Sequence, residues 1–163
     1  DLVRLDLGSA TAMPYPEAMF SKAYMMHVGM NIGDKKMLAL ELYRVLRPGG
    51  TLGIYDVIKI GDEPLSFPVP WASTAAGSFV ESLAQYRKVL EHAGFKISVA
   101  QNRRDFALTY FDKLSATNTA DGGVPPLGLH IVMGKDRPKK IKNMIDNIVE
   151  GRVAPFEIIA KKQ

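Results

Sequence analysis

The feature that most constrains the fold is the alternation of nearly apolar segments with amphipathic ones. The runs 22–28 and 51–58 have the composition of strands that are covered on both faces. Between them, Leu38, Leu42 and Val45 recur at helical spacing. The same alternation runs along the whole chain and predicts strands at 2–7, 22–28, 51–58, 95–100 and 153–160. Helices are predicted in between, with a less regular insertion at 103–134.

This order predicts an α/β fold with an open, mostly parallel sheet and helices on both faces. The 163 residues, 47% of them apolar, suit one domain with a substantial core. In such sheets, ligands bind beyond the carboxyl ends of the strands. We therefore expect the loops after Leu7, Val28 and Ile58 to share one edge, which would be the functional edge.

Local signals mark where the helices begin and end. Asp34 is placed to cap the first helix, and Pro48-Gly49-Gly50 stops it. Ser78 and Glu81 have the spacing of a capping box that would open the second helix, with Tyr86 on its inner face. A further helix is predicted to have Pro138 in its first turn.

Composition narrows the function classes. The chain has no cysteine, and His27, His92 and His130 lie far apart, so we expect no metal site. No apolar run approaches the roughly 20 residues of a membrane span, and no signal peptide is visible, so we expect a cytoplasmic protein. The net charge is +4, and the basic run 135–142 contains no aromatic residue, which argues against a nucleic-acid surface.

Three segments, in this order, resemble class I S-adenosylmethionine-dependent methyltransferases related to the ubiquinone and menaquinone C-methyltransferases. Residues 8–17 resemble the "GDA…LPFPD" segment, and residues 20–28 resemble the strand that follows it. Residues 41–50, ELYRVLRPGG, resemble the "E…RVLKPGG" signature and are the most specific of the three. The resemblance covers residues 1–100 and implies a Rossmann-like sheet whose last strand is antiparallel.

The resemblance also implies S-adenosylmethionine as cofactor, a small-molecule methyl acceptor, and family elements that would precede Asp1. These are the first strands, the glycine-rich loop and the ribose-binding acidic residue, so residues 1–163 are expected to be one incomplete domain that binds the cofactor poorly alone. Ser9 and Ala10 match the positions beside the adenine. Ser9 and Ser21 stand where the family usually has aspartates, and Ser9 could equally serve only as a turn residue.

Met26, His27 and Val28 match the strand end where the family holds the sulfonium. His27 could act as a general base near pH 7 or simply line the pocket. Asp56, at the end of the next strand, could orient or deprotonate the acceptor, or play a capping role. His27 and Asp56 are the two catalytic candidates.

Tyr15 and Trp71 could wall the acceptor pocket, and their rings would attract a cationic amine, although core packing is an alternative for either. The segment 103–135 is expected to form a lid over the acceptor, and His130 within it could reach the site. His92 is interpreted as a surface residue.

Two rival functions remain open from the sequence. Ser9 and Ser21 would also suit a non-catalytic binding or regulatory protein with a methyltransferase fold. The basic run would also suit an RNA methyltransferase. An incomplete sheet exposes an apolar edge, which favours a homodimer.

Overall fold

The computed structural model describes residues 3–118 and 133–163, without side chains at 114–118. Its strands are β1 Phe20–Met26, β2 Leu46–Lys59, β3 Phe95–Asn102 and β4 Val153–Lys162. Its α-helices are α1 Lys35–Val45, α2 Leu83–His92, α3 Arg104–Asn118 and α4 Arg137–Val149. Short 3₁₀ turns lie at Gly29–Asn31, Ala75–Gly77 and Gly134–Asp136.

The strands form one sheet in the order β1-β2-β4-β3. β1 and β2 are parallel, whereas β4 lies between β2 and β3 and is antiparallel to both. β1, β2 and β3 therefore point the same way, and their carboxyl ends share one edge. The predicted mostly parallel sheet with a reversed last strand is confirmed.

The strand predicted at 2–7 is wrong. Residues 3–8 have no regular structure, and Leu5 and Leu7 are 91% and 102% exposed. An apolar run becomes a strand only when a neighbouring strand takes its backbone hydrogen bonds, and no described strand lies beside this one. Only two of the three expected tips, those of β1 and β2, therefore share the edge.

The main core lies between the sheet and helices α1 and α2. Alternate β2 residues, among them Leu52, Ile54 and Ile58, meet Leu38 of α1 and Leu90 of α2. Each such side chain contributes about 1.5–3 kcal/mol by leaving water. The helical stripe and the period-two strand pattern thus position these elements as expected.

A second core covers the opposite face near the carboxyl ends of the strands. Val57 of β2 and Val153 of β4 pack there with Met30 and with Ile148 of α4. Trp71, together with residues of α3 and α4, packs against this cluster. Helices therefore lie on both faces of the sheet.

The start signal was right for α1, but the helix already ends at Val45, and its predicted stop, Pro48-Gly49-Gly50, lies within β2. The start signal of α2 was displaced. Asp34 caps α1 by accepting a hydrogen bond from the Met37 N–H. α2 begins later than the predicted capping box, with Ser82 as its cap. The hydroxyl of Ser78 instead accepts a hydrogen bond from the Trp71 indole N–H. The Lys59 N–H donates to the Glu81 carbonyl, so the backbone at the predicted start of this helix is extended and bonded to the end of β2.

Among residues 3–118 and 133–163, no helix has both the length and the apolar character needed to cross a membrane.

Candidate functional site

The candidate site lies where β1 and β2 end side by side. The last register pair of these strands is Met26 with Tyr55, and the His27 N–H continues the ladder by donating to the Tyr55 carbonyl at 2.8 Å. We call residues 26–30 the rim loop. Because both strands are parallel, the rim loop and the end of β2 face the same side of the molecule.

The rim loop presents apolar surface to solvent. Met26, the last residue of β1, is 57% exposed, and Val28 just after the strand is 38% exposed, whereas Met25, which precedes them in the strand, is buried. Isolated exposed apolar residues are common, but two at a strand end in an α/β sheet suit a binding surface. These are two of the residues predicted to contact the cofactor.

His27 occupies an uncommon backbone conformation. Its φ is 53°, in the left-handed region that non-glycine residues visit rarely and that clusters at functional sites. Its ring stands edge-on to Tyr55, with centroids 5.4 Å apart and planes at 89°. The side chain is exposed, so the imidazole is available at the rim.

Three residues that the sequence analysis missed lie on the same side of the sheet as the His27 ring. Tyr55 pairs across the sheet with Glu157, and Arg103 Nε lies 3.8 Å from the Glu157 carboxylate. Burial raises the pKa of Tyr55, and the Arg103 charge opposes that shift. A sequence signal was present for Arg103 alone, since it begins the predicted lid three positions after the predicted strand 95–100.

Asp56 points the other way, into the main core. Its carboxylate is 0% exposed and accepts hydrogen bonds from Tyr86 Oη at 2.7 Å and from the Val57 N–H at 3.0 Å. Desolvation raises the pKa of Asp56, and the two hydrogen bonds oppose the shift. Burial and the neighbouring carboxylate also raise the pKa of Tyr86, which therefore remains a donor. Asp56 is thus held by the protein rather than presented to solvent.

Lys35, also missed by the sequence analysis, is buried beside this pair. Its Nζ donates to the carbonyls of Ile32 and Phe79 at 2.5 and 2.7 Å. Burial lowers the pKa of Lys35, while Glu81 and Asp56 raise it. The lysine therefore ties the segment after the rim loop to the segment before α2.

Ser9 and Ala10 lie in a tight turn. Ser9 Oγ accepts a hydrogen bond from the Thr11 N–H at 3.2 Å and lies 2.9 Å from the Thr11 hydroxyl. This is the turn role that the sequence left open for Ser9. Ala10 is half-buried against the main core. The exposed Ser9 could exchange its local partner for a ligand, so its cofactor contact stays a prediction.

Tyr15 lies away from the rim loop. Its ring packs edge-on against Phe20, the first residue of β1, and its hydroxyl donates to Asp6. β1 has seven residues, which places Phe20 about 20 Å from the strand's carboxyl end at roughly 3.3 Å per residue. The structure therefore does not bring Tyr15 together with His27, and its acceptor role stays a prediction without support from its placement.

A cavity of about 430 Å³ lies just beyond the end of β2. Leu65, Phe67 and Val80 supply apolar lining, and the polar lining is Lys59, Asp62, Glu63 and Ser78. Trp71 does not line this cavity but fixes Ser78 through its indole N–H at 3.0 Å. His130, the third predicted acceptor contact, lies outside the described residues, as do residues 119–132 of the predicted lid.

Nowhere in the described residues do three or more His, Asp or Glu side chains gather as metal ligands. The basic run is partly engaged within the protein. Lys142 pairs with Asp146 at 2.6 Å, and Lys140 donates to the Met133 carbonyl. His92 is exposed at the end of α2, which leads into the start of β3 at the opposite edge of the sheet.

Comparison with known proteins gives one family match and several relatives. A family described as "Methyltransferase domain" matches residues 1–54. Phosphoethanolamine N-methyltransferase 1 of Zea mays is 28% identical over 112 residues, which are 69% of this chain and 22% of the relative. Methyltransferase GfsG of Streptomyces halstedii is 27% identical over 100 residues, which are 60% of this chain and 36% of the relative.

Among solved structures, the Haemonchus contortus phosphoethanolamine N-methyltransferase 2 in complex with S-adenosyl-L-methionine superposes with a TM-score of 0.71. The match covers 94% of this chain and 36% of that protein at 15% identity, so it shows a shared fold. The chain spans only 22–36% of the length of these relatives.

Proposed function

We propose that the protein containing this chain is a class I methyltransferase of the small-molecule type, which its family match and its sheet support. It would transfer a methyl group from S-adenosylmethionine to a small acceptor. The observation that carries the proposal is the shared carboxyl edge of parallel β1 and β2, with the exposed residues Met26, His27 and Val28 on it. This edge is where ligands of open α/β sheets bind.

The residues present fit part of the cofactor. Met26 and Val28 offer exposed apolar contact at the strand end, and Ser9 offers a hydroxyl in the turn near the main core. These residues would hold one side of S-adenosylmethionine, which supplies an activated methyl group when bound. The resemblance implies that the remaining contacts come from a glycine-rich segment outside residues 1–163.

The acceptor is assigned to the cavity beyond β2. Its volume falls in the range of small-molecule pockets, and Leu65, Phe67 and Val80 would exclude water from the reacting groups. Displacement at a sulfonium needs alignment and dehydration more than acid or base chemistry.

His27 is the residue we assign to proton removal where the acceptor must lose a proton. It is exposed at the rim, and imidazole can act as a base near neutral pH. Asp56 is not assigned this role, because both of its oxygens are engaged inside the main core. Its contribution to the site is the packing of its hydrogen-bonded carboxylate against Gly29 of the rim loop.

Two assays test the proposal on the full-length protein. Calorimetry with S-adenosylhomocysteine is expected to give saturable binding, and transfer of a labelled methyl group is followed over a panel of amines, phenols and carbon acids that includes phosphoethanolamine. Full-length protein that binds no S-adenosylhomocysteine would contradict the assignment.

The role of His27 is tested with His27→Asn. Asparagine tolerates the left-handed backbone but lacks a basic ring, so the loss of imidazole is isolated from backbone strain. We expect kcat to fall about 100-fold for an acceptor that must be deprotonated. His92→Asn, at the opposite edge of the sheet, is the matched control, and equal rates for both variants would remove His27 from the mechanism.

A further inference from the structure

The rim loop rests directly on a buried hydrogen-bonded pair. Gly29 lies above Asp56 and Tyr86, whose side chains share the 2.7 Å hydrogen bond. A Cβ atom at Gly29 would lie 2.2 Å from Asp56 Oδ2 and 2.2 Å from Tyr86 Oη. Real Cβ atoms never approach other atoms so closely, so this position accepts only glycine while the pair is in place.

The segment that follows the rim loop is held from below as well. Lys35 bonds to the carbonyls of Ile32 and Phe79, and its Nζ lies 5.9 Å from the centre of the Tyr86 ring. The Phe79 N–H donates to the Met30 carbonyl at 2.9 Å. Together with the Asp56–Tyr86 pair, these contacts hold the carboxyl-terminal end of the rim loop in place.

His27 is two residues before Gly29 and has the left-handed backbone described above. Such a conformation persists only where surrounding contacts over-determine it. The contacts that follow it in the chain include the hydrogen bond from the Asn31 N–H to the Val28 carbonyl at 2.9 Å and the close approach of Gly29 to the buried pair. A change in the pair therefore moves or loosens the residue that faces the reacting groups.

We propose that Tyr86 is a positioning residue for methyl transfer. Its hydrogen bond to Asp56 fixes the position of the Gly29 backbone, and Gly29 in turn fixes the position of His27 at the carboxyl edge of the sheet. The inference rests on the proposed function. It assigns no substrate contact to Tyr86, which is on α2 and buried in the main core.

A polar pair is a costly way to fill this space if packing alone were required. The surrounding main core consists of side chains such as Met25, Leu38 and Ile54, and apolar residues of similar volume could replace a buried polar pair without loss of stability. The pair instead offers a fixed distance and direction, which apolar contacts do not provide.

The first test is Tyr86→Phe in the full-length protein. Removal of the hydroxyl is expected to lower kcat about tenfold, because small errors in alignment act on the transition state, while KM for S-adenosylmethionine stays within about twofold. Tyr43→Phe is the matched control, since it removes a tyrosine hydroxyl that donates to the Gln163 carbonyl at 3.0 Å beside the end of α1. Its kcat is expected to equal that of the wild type.

The second test disturbs the same contact from the side of the rim loop and keeps the Tyr86 hydroxyl. Gly29→Ala adds the clashing Cβ and is expected to give the same loss of kcat with an unchanged KM. Gly53→Ala is its control, because a Cβ there meets Ile159 Cδ1 at an ordinary 3.7 Å. This pair of variants keeps the inference testable if Tyr86→Phe folds poorly.

Hydrogen exchange separates this inference from the proposed function. The amides of residues 27–33 are expected to exchange about tenfold faster in Tyr86→Phe than in Tyr43→Phe, whether or not an acceptor has been found. Unchanged exchange, or a Tyr86→Phe kcat within twofold of the wild type, overturns the positioning role. Absence of methyl transfer and cofactor binding in the wild type, with altered exchange in Tyr86→Phe, overturns the proposed function alone.

Discussion

Arg44 and Glu41 of α1 are joined by two hydrogen bonds, of 2.7 and 2.9 Å, and Arg44 also donates to two carbonyls of the segment before β1. These acceptors are Tyr15 O at 2.7 Å and Met13 O at 3.1 Å, while Glu41 accepts from the Met13 N–H at 2.8 Å. Glu41 and Arg44, the glutamate and first arginine of the ELYRVLRPGG segment, thus bind the segment before β1 to helix α1. Their role is structural, because they hold the segment that follows the turn that contains Ser9.

Arg44→Lys is expected to lower the free energy of unfolding by about 1–2 kcal/mol. Lysine keeps the charge but cannot make the two-pronged bond to Glu41 and reach both carbonyls. Arg47→Lys is the control, because Arg47 is exposed and makes one 3.3 Å hydrogen bond to the Ala18 carbonyl. Urea unfolding of the two variants compares them directly, and equal losses would contradict the special role of Arg44.

The same pair predicts an acid dependence of stability. The hydrogen bond from Arg44 holds the pKa of Glu41 below its ordinary value of 4.5. A depressed native pKa adds stability that is present above pH 4.5 and is lost as pH falls through the native value. The gap between wild type and Glu41→Gln is therefore expected to shrink as unfolding is measured from pH 7 down to pH 3. A gap that stays constant over this range would contradict the role of the Arg44 hydrogen bond.

How much the sequence predicted depends on how local each signal is. The helix α1 followed from the Asp34 cap and from the spacing of Leu38 and Leu42, all of which act within one helix. The strand at 2–7 failed because pairing depends on a partner strand, which an apolar run cannot specify. The start of α2 was displaced because a contact with Trp71 occupied the Ser78 hydroxyl.

The site divides in the same way. His27 and Asp56 were found because they end apolar strands of a predicted parallel sheet. Tyr86 was expected on the inner face of its helix, and it lies there, but its hydroxyl meets Asp56 across 30 positions of chain. No periodicity indicates such a meeting, and nothing in the sequence marks Gly29 as the residue above it.

Replacement of Lys162 is also expected to lower the free energy of unfolding strongly. Lys162 is buried, and its Nζ donates to the carbonyls of Tyr43 and Leu46 at 2.8 Å each, which satisfies the end of α1. Lys162→Met would leave both carbonyls without this donor, and we expect a loss of about 2–4 kcal/mol. Lys161→Met, at the neighbouring exposed position of β4, should change the free energy of unfolding by less than about 0.5 kcal/mol.

Glycines of the RVLRPGG segment are expected to differ in their tolerance of alanine. At Gly50 a Cβ would lie 2.8 Å from the Arg47 carbonyl and 3.2 Å from the Ser21 carbonyl, both of which belong to the backbone. At Gly49 there is open space, and only its φ of 73° opposes a side chain, at a cost of about 1 kcal/mol. Thermal unfolding should rank Gly50→Ala as the less stable variant, and the reverse order would contradict the geometry of this irregular first part of β2.

Asp56 is expected to make the free energy of unfolding depend on pH in the opposite direction to Glu41. Burial raises the pKa of Asp56 above its ordinary 3.8, so the native state binds the proton more tightly than the unfolded chain does. Stability due to this group therefore falls as pH rises from about 3.8 through the native value, and the loss is complete above it.

Asp56→Asn cannot ionise, and its amide can accept from the Val57 N–H and donate to Tyr86 Oη. Relative to the wild type, Asp56→Asn is expected to gain stability between pH 3 and pH 7 in urea titrations. A flat difference across this range would mean that the carboxyl is not desolvated in the native state.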